Sequence, residues 1–259
     1  MLDEPSVGEL APETLGELGR ADLSPWFNPF LRQFVRDAQR SGGEVRVVRD
    51  AGGVRGLWVS DPVERLATAF SRDRSVAENW VRGRGVYGVY SDFSFEPGVE
   101  VFDIFSRSLD SPGSSERFRH PVRVVTPRDI PAVTDLAREV YGLVNERWFS
   151  GLPTLREVGL VVELEGRLAG MGWISLASEH ARLHSLTVRP SFRRMGIGSD
   201  LLAARLFWAR RMGARDVVSE IARTNVASQL IAERGGMHRA GEIYLHRPQQ
   251  TDGPAARFG

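Results

Sequence analysis

Residue types that could hold an anion follow one another closely in Arg189-Pro190-Ser191-Phe192-Arg193-Arg194-Met195-Gly196-Ile197-Gly198-Ser199. Gly196 and Gly198 let a backbone approach a phosphate, and the guanidinium groups of Arg193 and Arg194 add charge-assisted hydrogen bonds. Such a loop needs a strand before it and a helix after it. Leu183 to Val188 reads as a short β-branched and apolar strand, and Leu202, Leu206 and Ala209 form the stripe of a following helix. The first amides of that helix lack intrahelical partners, and its dipole favours negative charge there. Two titratable groups flank the loop: His184 on the strand and Glu220 downstream, five residues before Asn225.

A dinucleotide-binding loop would carry a third glycine at Leu201 and would follow its strand directly, yet seven residues separate Val188 from Gly196. Arg193-x-x-Gly196-x-Gly198 after Leu186-x-Val188-x-Pro190 instead resembles the acetyl-coenzyme A signature of the GNAT superfamily of N-acetyltransferases. Asn225-Val226-Ala227-Ser228, followed by Gly235-Gly236-Met237, is similar to that superfamily's next motif, with Met237 where phenylalanine is usual. The resemblance covers roughly residues 120–248. It implies a mixed α/β (α+β) fold with a largely antiparallel central sheet flanked by helices, and acetyl-coenzyme A as co-substrate. It implies that Leu186, Thr187 and Val188 offer backbone groups to the pantetheine, which enters where strands 183–188 and 216–221 splay. Arg193, Arg194, Met195, Gly196, Ile197, Gly198 and Ser199 would wrap the pyrophosphate, and Asn225 and Ser228 would touch the pantetheine arm or the sulfur.

Acyl transfer to an amine needs a neutral nucleophile. An alkyl amine with pKa near 10 is roughly 0.1% neutral at pH 7, a deficit of about 4 kcal/mol. Glu220 stands where similar ribosomal-protein alanine acetyltransferases carry a catalytic glutamate, and His184 where similar arylalkylamine acetyltransferases carry a proton-accepting histidine. Both remain candidates for the base, singly or in series, beside plainer roles as an ion-pair partner and a sheet histidine. Many relatives place a tyrosine acid seven residues after the motif asparagine; here that position is Ala232. Tyr141 and Tyr244 are substitutes by residue type alone. The resemblance thus implies an N-acetyltransferase acting on a primary amine, of a small molecule or a protein N-terminus, with a non-catalytic acyl-coenzyme A-binding protein as the alternative.

The totals exclude several chemistries. The 259 residues include no cysteine, which removes disulfides, thiolate metal sites and an acyl-cysteine intermediate. All 34 basic residues are arginine, so no lysine can form a Schiff base. Five scattered histidines lack metal-ligand spacing, so no metal is expected. A net charge of +1 gives no bulk drive toward nucleic acid or an acidic membrane. The acidic start Met1-Leu2-Asp3-Glu4-Pro5 has no secretion-signal pattern and no run reaches membrane-span length, so a cytoplasmic location is the expectation.

Elsewhere, residues 1–20 read as a loose arm or short helix. Phe27, Phe30, Leu31, Phe34, Val35 and Ala38 recur at helical spacing until Ser41-Gly42-Gly43. Val45 to Val48 and Val54 to Ser60 form a hairpin, and a second of similar wording spans Leu160 to Leu176. Both end in Trp-x-Ser, at Trp58 and Trp173, which hints at a duplication whose first half is a degenerate GNAT-like domain. Residues 82–88 are taken as a turn and Tyr90 to Phe95 as extended. Asp110 to Ser115 has linker composition. This gives a smaller α/β domain over residues 1–115, the acetyltransferase-like domain over 120–248 and a disordered tail over 249–259. The first domain could line the acceptor pocket, form a homodimer surface or act as a lid. In the second, Thr126-Pro127-Arg128-Asp129 starts a helix buried through Ile130, Val133, Ala137 and Val140, and Trp148-Phe149 would contact an acceptor or plug a loop.

Overall fold

The computed structural model describes residues 12–110, 118–142 and 157–248. They form two compact units that divide inside strands. Asp103–Gly241 makes one; the described residues up to Phe102 and those from Glu242 onward make the other. The division between Phe102 and Asp103 lies inside the strand over residues 100–108. Trp148, Phe149, most of the 110–115 linker and the tail over 249–259 lie outside the described residues.

In the first unit, α1 (Pro12–Leu18) and α2 (Leu31–Ser41) precede the hairpin of β1 (Val45–Asp50) and β2 (Gly53–Asp61). Leu31, Val35 and Ala38 are the buried stripe of α2, which ends at Gly42 in the left-handed region. β3 (Leu66–Ser71) runs antiparallel to β2, and α3 (Arg74–Arg82) crosses over to β4 (Gly88–Ser91), parallel to β3. The segment 82–88 is the turn after α3, but α3 itself is not evident in the sequence.

The second unit takes up most of β5 (Glu100–Ser108), then β6 (Val122–Val124) and α4 (Ile130–Tyr141). The capping box expected at Thr126 and Asp129 is present, on a 3-10 turn that leads into α4. Then come β7 (Glu157–Leu164), β8 (Arg167–Ala177), β9 (His180–Val188), α5 (Ile197–Arg211), β10 (Asp216–Ala222), α6 (Val226–Arg234) and β11 (His238–His246). The end of β11 belongs to the first unit, where Tyr244 to His246 pair antiparallel with β4. Strand order in the second unit is β5-β10-β9-β8-β7-β6. The pairs β6–β7, β7–β8 and β8–β9 are antiparallel, and β9–β10 is parallel, as a helical crossover requires. Ile197, Leu201 and Ala204 of α5 pack with Ile174, Leu183 and Val217. Val133, Leu136 and Ala137 of α4 pack with Val161, Met171 and Trp173. The two helices therefore cover opposite faces of the sheet, because alternate residues of β8 divide between the two clusters.

The duplication is visible in topology. A helix, a hairpin, a third antiparallel strand, a crossover helix and a parallel strand occur as α2-β1-β2-β3-α3-β4 and again as α4-β7-β8-β9-α5-β10. The Trp-x-Ser wording is not part of the repeat. Trp58 packs with Val81 and Trp80 of the crossover helix α3, whereas Trp173 packs with the preceding helix α4, the opposite face. A one-residue offset in a strand reverses the face that a side chain occupies.

Candidate active site

The connection from β9 to α5 is held by residues around it. Arg189 is buried; its Nε donates to Leu168 O at 2.9 Å and its guanidinium pairs with Glu139 of α4. Phe192 is buried in the core. Between these anchors and the helix, Arg193, Arg194, Met195 and Ser199 are exposed. Gly196 is the residue before the first helical turn, with φ of 92° and ψ of −2°. Its carbonyl accepts from Ser199 N at 3.0 Å and Asp200 N at 3.1 Å. The amides of Ile197 and Gly198 precede these bonds and face outward from the helix start, where an anion is favoured. Ile197 is itself buried in the core, so its side chain is not offered to a ligand.

Gly198 has a different use from the one its motif position suggests. A β-carbon there would lie 2.8 Å from Ile231 Cδ1. The absent side chain therefore lets α5 approach α6, while Gly196 supplies the left-handed turn.

The expected opening between strands begins early. β9 and β10 pair only at His180–Asp216, Ala181–Val217 and Arg182–Val218, although β9 runs on to Val188 and β10 to Ala222. At the fork, Ser219 Oγ donates to Leu183 O at 2.7 Å. Leu186, Thr187 and Val188 lie beyond the fork, on the free length of β9. On its other side β9 carries a bulge: Met171 faces Thr187 and Trp173 faces His184, so Ser185 and Leu186 together oppose Gly172. Ser185 has φ of 53°, unusual for a residue with a side chain.

His184 and Glu220 each stand two residues beyond the last β9–β10 pair. His184 Nε2 lies 2.9 Å from Ser175 Oγ, and Nδ1 lies 3.2 Å from Ser185 Oγ. Its pKa is pushed well below the ordinary histidine value, chiefly by burial and then by the charges of Arg182 and Arg205. The imidazole is thus neutral at pH 7, with one nitrogen able to accept a proton. Glu220 is not alone: the Arg182 guanidinium pairs with it, and both side chains are largely covered, 21% and 16% exposed. That ion pair is the plainer of the two roles the sequence leaves open for Glu220.

Arg205 on α5 is 2% exposed. Its Nε donates to Leu201 O at 3.4 Å and its Nη1 to His184 O at 3.5 Å, and it has no carboxylate partner among the described residues. Its stem lies over Gly172, opposite the bulge, where a β-carbon would lie 3.1 Å from Arg205 Cδ. Burial lowers its pKa from the ordinary arginine range to about 10. Arg182, Ser175, Ser185 and Arg205 are not singled out by sequence motifs, since cross-strand register and the bulge bring them to His184. Alternation along the strands gives the only advance signal.

Asn225 caps α6, its Oδ1 accepting from Ser228 N at 3.1 Å. Gln229 Nε2 donates to Ala222 O and Arg223 O, fixing the turn that carries both motif residues. Ala232 is buried in the core beside Met237. Tyr141, at the end of α4, has its hydroxyl 2.6 Å from Thr187 Oγ1. Tyr244 belongs to the first unit, where its hydroxyl donates to Glu242. Among the described residues no group of three His, Asp or Glu could hold a metal ion, and no helix is long and apolar enough to cross a membrane.

Residues 132–237 match the model described as the acetyltransferase (GNAT) family. This segment is a GNAT acetyltransferase domain. A GCN5-related N-acetyltransferase from Sphaerobacter thermophilus is 18% identical, with 79% of this chain and 80% of that one covered and a TM-score of 0.60. A tandem GNAT protein from the clavulanic acid biosynthesis pathway is 17% identical, with 95% of this chain and 97% of that one covered and a TM-score of 0.58. A GCN5-related N-acetyltransferase-like protein from Streptococcus suis is 12% identical over 91% of this chain and 99% of that one, with a TM-score of 0.59. Likeness at these identities carries the fold, including its tandem layout. No curated protein matches the chain.

Proposed function

We propose that the GNAT domain is an acetyl-coenzyme A-dependent N-acetyltransferase. It moves the acetyl group to a primary amine, of a small molecule or a protein N-terminus, by direct attack and with no covalent enzyme intermediate, in the cytoplasm. The observation that carries this reading is the early end of the β9–β10 pairing, with His184 and Glu220 two residues beyond it and the left-handed Gly196 turn at the far end of β9.

The residues fit the co-substrate. The outward amides of Ile197 and Gly198, with Arg193 and Arg194, suit its pyrophosphate, and the length Leu186 to Val188, which β10 leaves unpaired, suits its amide-bearing arm. The co-substrate supplies a thioester carbonyl and a thiol leaving group. His184, neutral and held by two serine hydroxyls, accepts the proton of the incoming ammonium. Glu220, paired with Arg182, orients the cationic amine before it deprotonates. The amine nitrogen then bonds to the carbonyl carbon, the carbon–sulfur bond breaks, and one proton reaches the departing thiolate. With Ala232 in the core, Tyr141 is the phenol on this face that can donate it. The same burial of Ala232 favours a second reading, an acyl-coenzyme A-binding protein without fast transfer.

Calorimetric titration with acetyl-coenzyme A, followed by thiol release against a panel of amines and N-terminal peptides, tests both readings. Amine-dependent release supports the transferase. Binding without release from any acceptor favours the second reading, and no binding overturns the site.

A further inference from the structure

The cofactor loop has a neighbour outside its motif. Arg119 lies far upstream in sequence, on the approach to β6. Its Cδ and Nη1 are each 3.4 Å from where a β-carbon of Gly196 would stand. The guanidinium is exposed and has no carboxylate partner among the described residues. The segment is tied there by Asp200, in the first turn of α5. The Asp200 carboxylate accepts from Arg119 N at 3.2 Å and His120 N at 3.1 Å, and lies 2.8 Å from His120 Nδ1. Both Asp200 and the His120 side chain are largely buried.

This arrangement answers a difficulty. An acidic residue in the first turn suits the helix dipole but would repel a phosphate bound at the same helix start. Here its two oxygens are taken up by three N–H groups of one short segment. The segment returns a positive charge to the site in the form of Arg119. Resting on the transferase reading, we infer that Arg119 is a third cation for the coenzyme pyrophosphate, beside Arg193 and Arg194, and that the Asp200–His120 latch positions it. The group recognised is the pyrophosphate and not the 3′-phosphate, because Arg119 meets the loop at Gly196, where the outward amides begin.

The test is calorimetric titration of the full chain with coenzyme A and with 3′-dephospho-coenzyme A. Arg119→Gln should weaken both by on the order of tenfold, the lower range for a charge-assisted hydrogen bond at an exposed site. Arg119→Lys should recover most of the loss by retaining the charge. Asp200→Asn and, should that variant fold poorly, His120→Ala should weaken binding in the same direction. Wild-type affinity in Arg119→Gln overturns the inference. A loss confined to coenzyme A, absent with the dephospho form, overturns the pyrophosphate placement. Full affinity in folded Asp200→Asn and His120→Ala overturns the latch. Failure of the unsubstituted chain to bind coenzyme A would defeat the transferase reading itself, a separate result.

Discussion

Arg205→Met separates two properties that most active-site substitutions change together. The guanidinium is buried, its two hydrogen bonds are at the long limit, and no carboxylate faces it among the described residues. Keeping it charged is therefore costly. A pKa lowered from the ordinary arginine range to about 10 corresponds to about 3 kcal/mol at neutral pH, since each unit is about 1.4 kcal/mol. That cost is present in full below pH 10, where the buried group is still protonated. Methionine fills similar length over Gly172 without a charge, so the variant should be more stable by up to about 3 kcal/mol, in line with other buried charges replaced by apolar groups. The same substitution removes one of the two cations that hold down the His184 pKa. Protonation of His184 should then move to higher pH, and the acid limb of the rate profile should move with it. Denaturant unfolding at pH 7 reads the first effect. An NMR titration of the His184 ring reads the second without any need for a known acceptor. A variant destabilised by several kcal/mol, or one whose His184 titration is unmoved, would refute the reasoning.

Gly198→Ala should weaken coenzyme A binding severalfold by pressing α5 off Ile231. The added change Ile231→Ala should restore most of it, read by calorimetry on the single and double variants. For His184, the unfolded chain takes up a proton below about pH 6.5 while the folded chain resists it, so stability falls as pH drops through that value. Between pH 7.5 and 5.5 the unsubstituted protein should lose about 1 kcal/mol more than His184→Gln, measured by urea unfolding at the two pH values. Glu220→Gln should lower turnover at pH 7 by roughly 10- to 100-fold with little change in coenzyme affinity, checked by thiol release alongside calorimetry. Equal turnover would refute the amine-orienting role of Glu220.

What the sequence disclosed and what it hid follow from the range of the interactions involved. The α2 stripe with its glycine stop and the Thr126–Asp129 box could be read from the sequence, because a cap, an apolar stripe and a glycine stop are local signals. α3 was not, since its buried positions number only two, Ala77 and Val81, within a charged nine-residue segment. The bulge at Ser185 was invisible because no glycine announces its positive φ. With the bulge unseen, the meeting of His184 with Ser175, and of Arg205 with the His184 carbonyl, could not be inferred. The Arg182–Glu220 pair depends on parallel register set by a crossover of some thirty residues, beyond any local pattern.

The two crossovers of the repeat differ at the place of the proposed coenzyme site. In the second unit eight residues, Arg189 to Gly196, separate β9 from α5, and the helix begins at a left-handed glycine with its first amides facing out. In the first unit only Arg72 and Asp73 separate β3 from α3. Asp73 caps that helix, its Oδ1 accepting from Ser75 N at 2.9 Å and Ser75 Oγ at 2.6 Å. The Ser75 hydroxyl, more than any other contact, lowers the Asp73 pKa and keeps the cap anionic. A carboxylate thus occupies the place where a phosphate would sit, and the connection is too short to wrap a pyrophosphate. The shared order of strands and helices persists because it builds a core. The loop proposed for the coenzyme is an addition to that shared order, and a two-residue turn with an aspartate cap leaves no length for it.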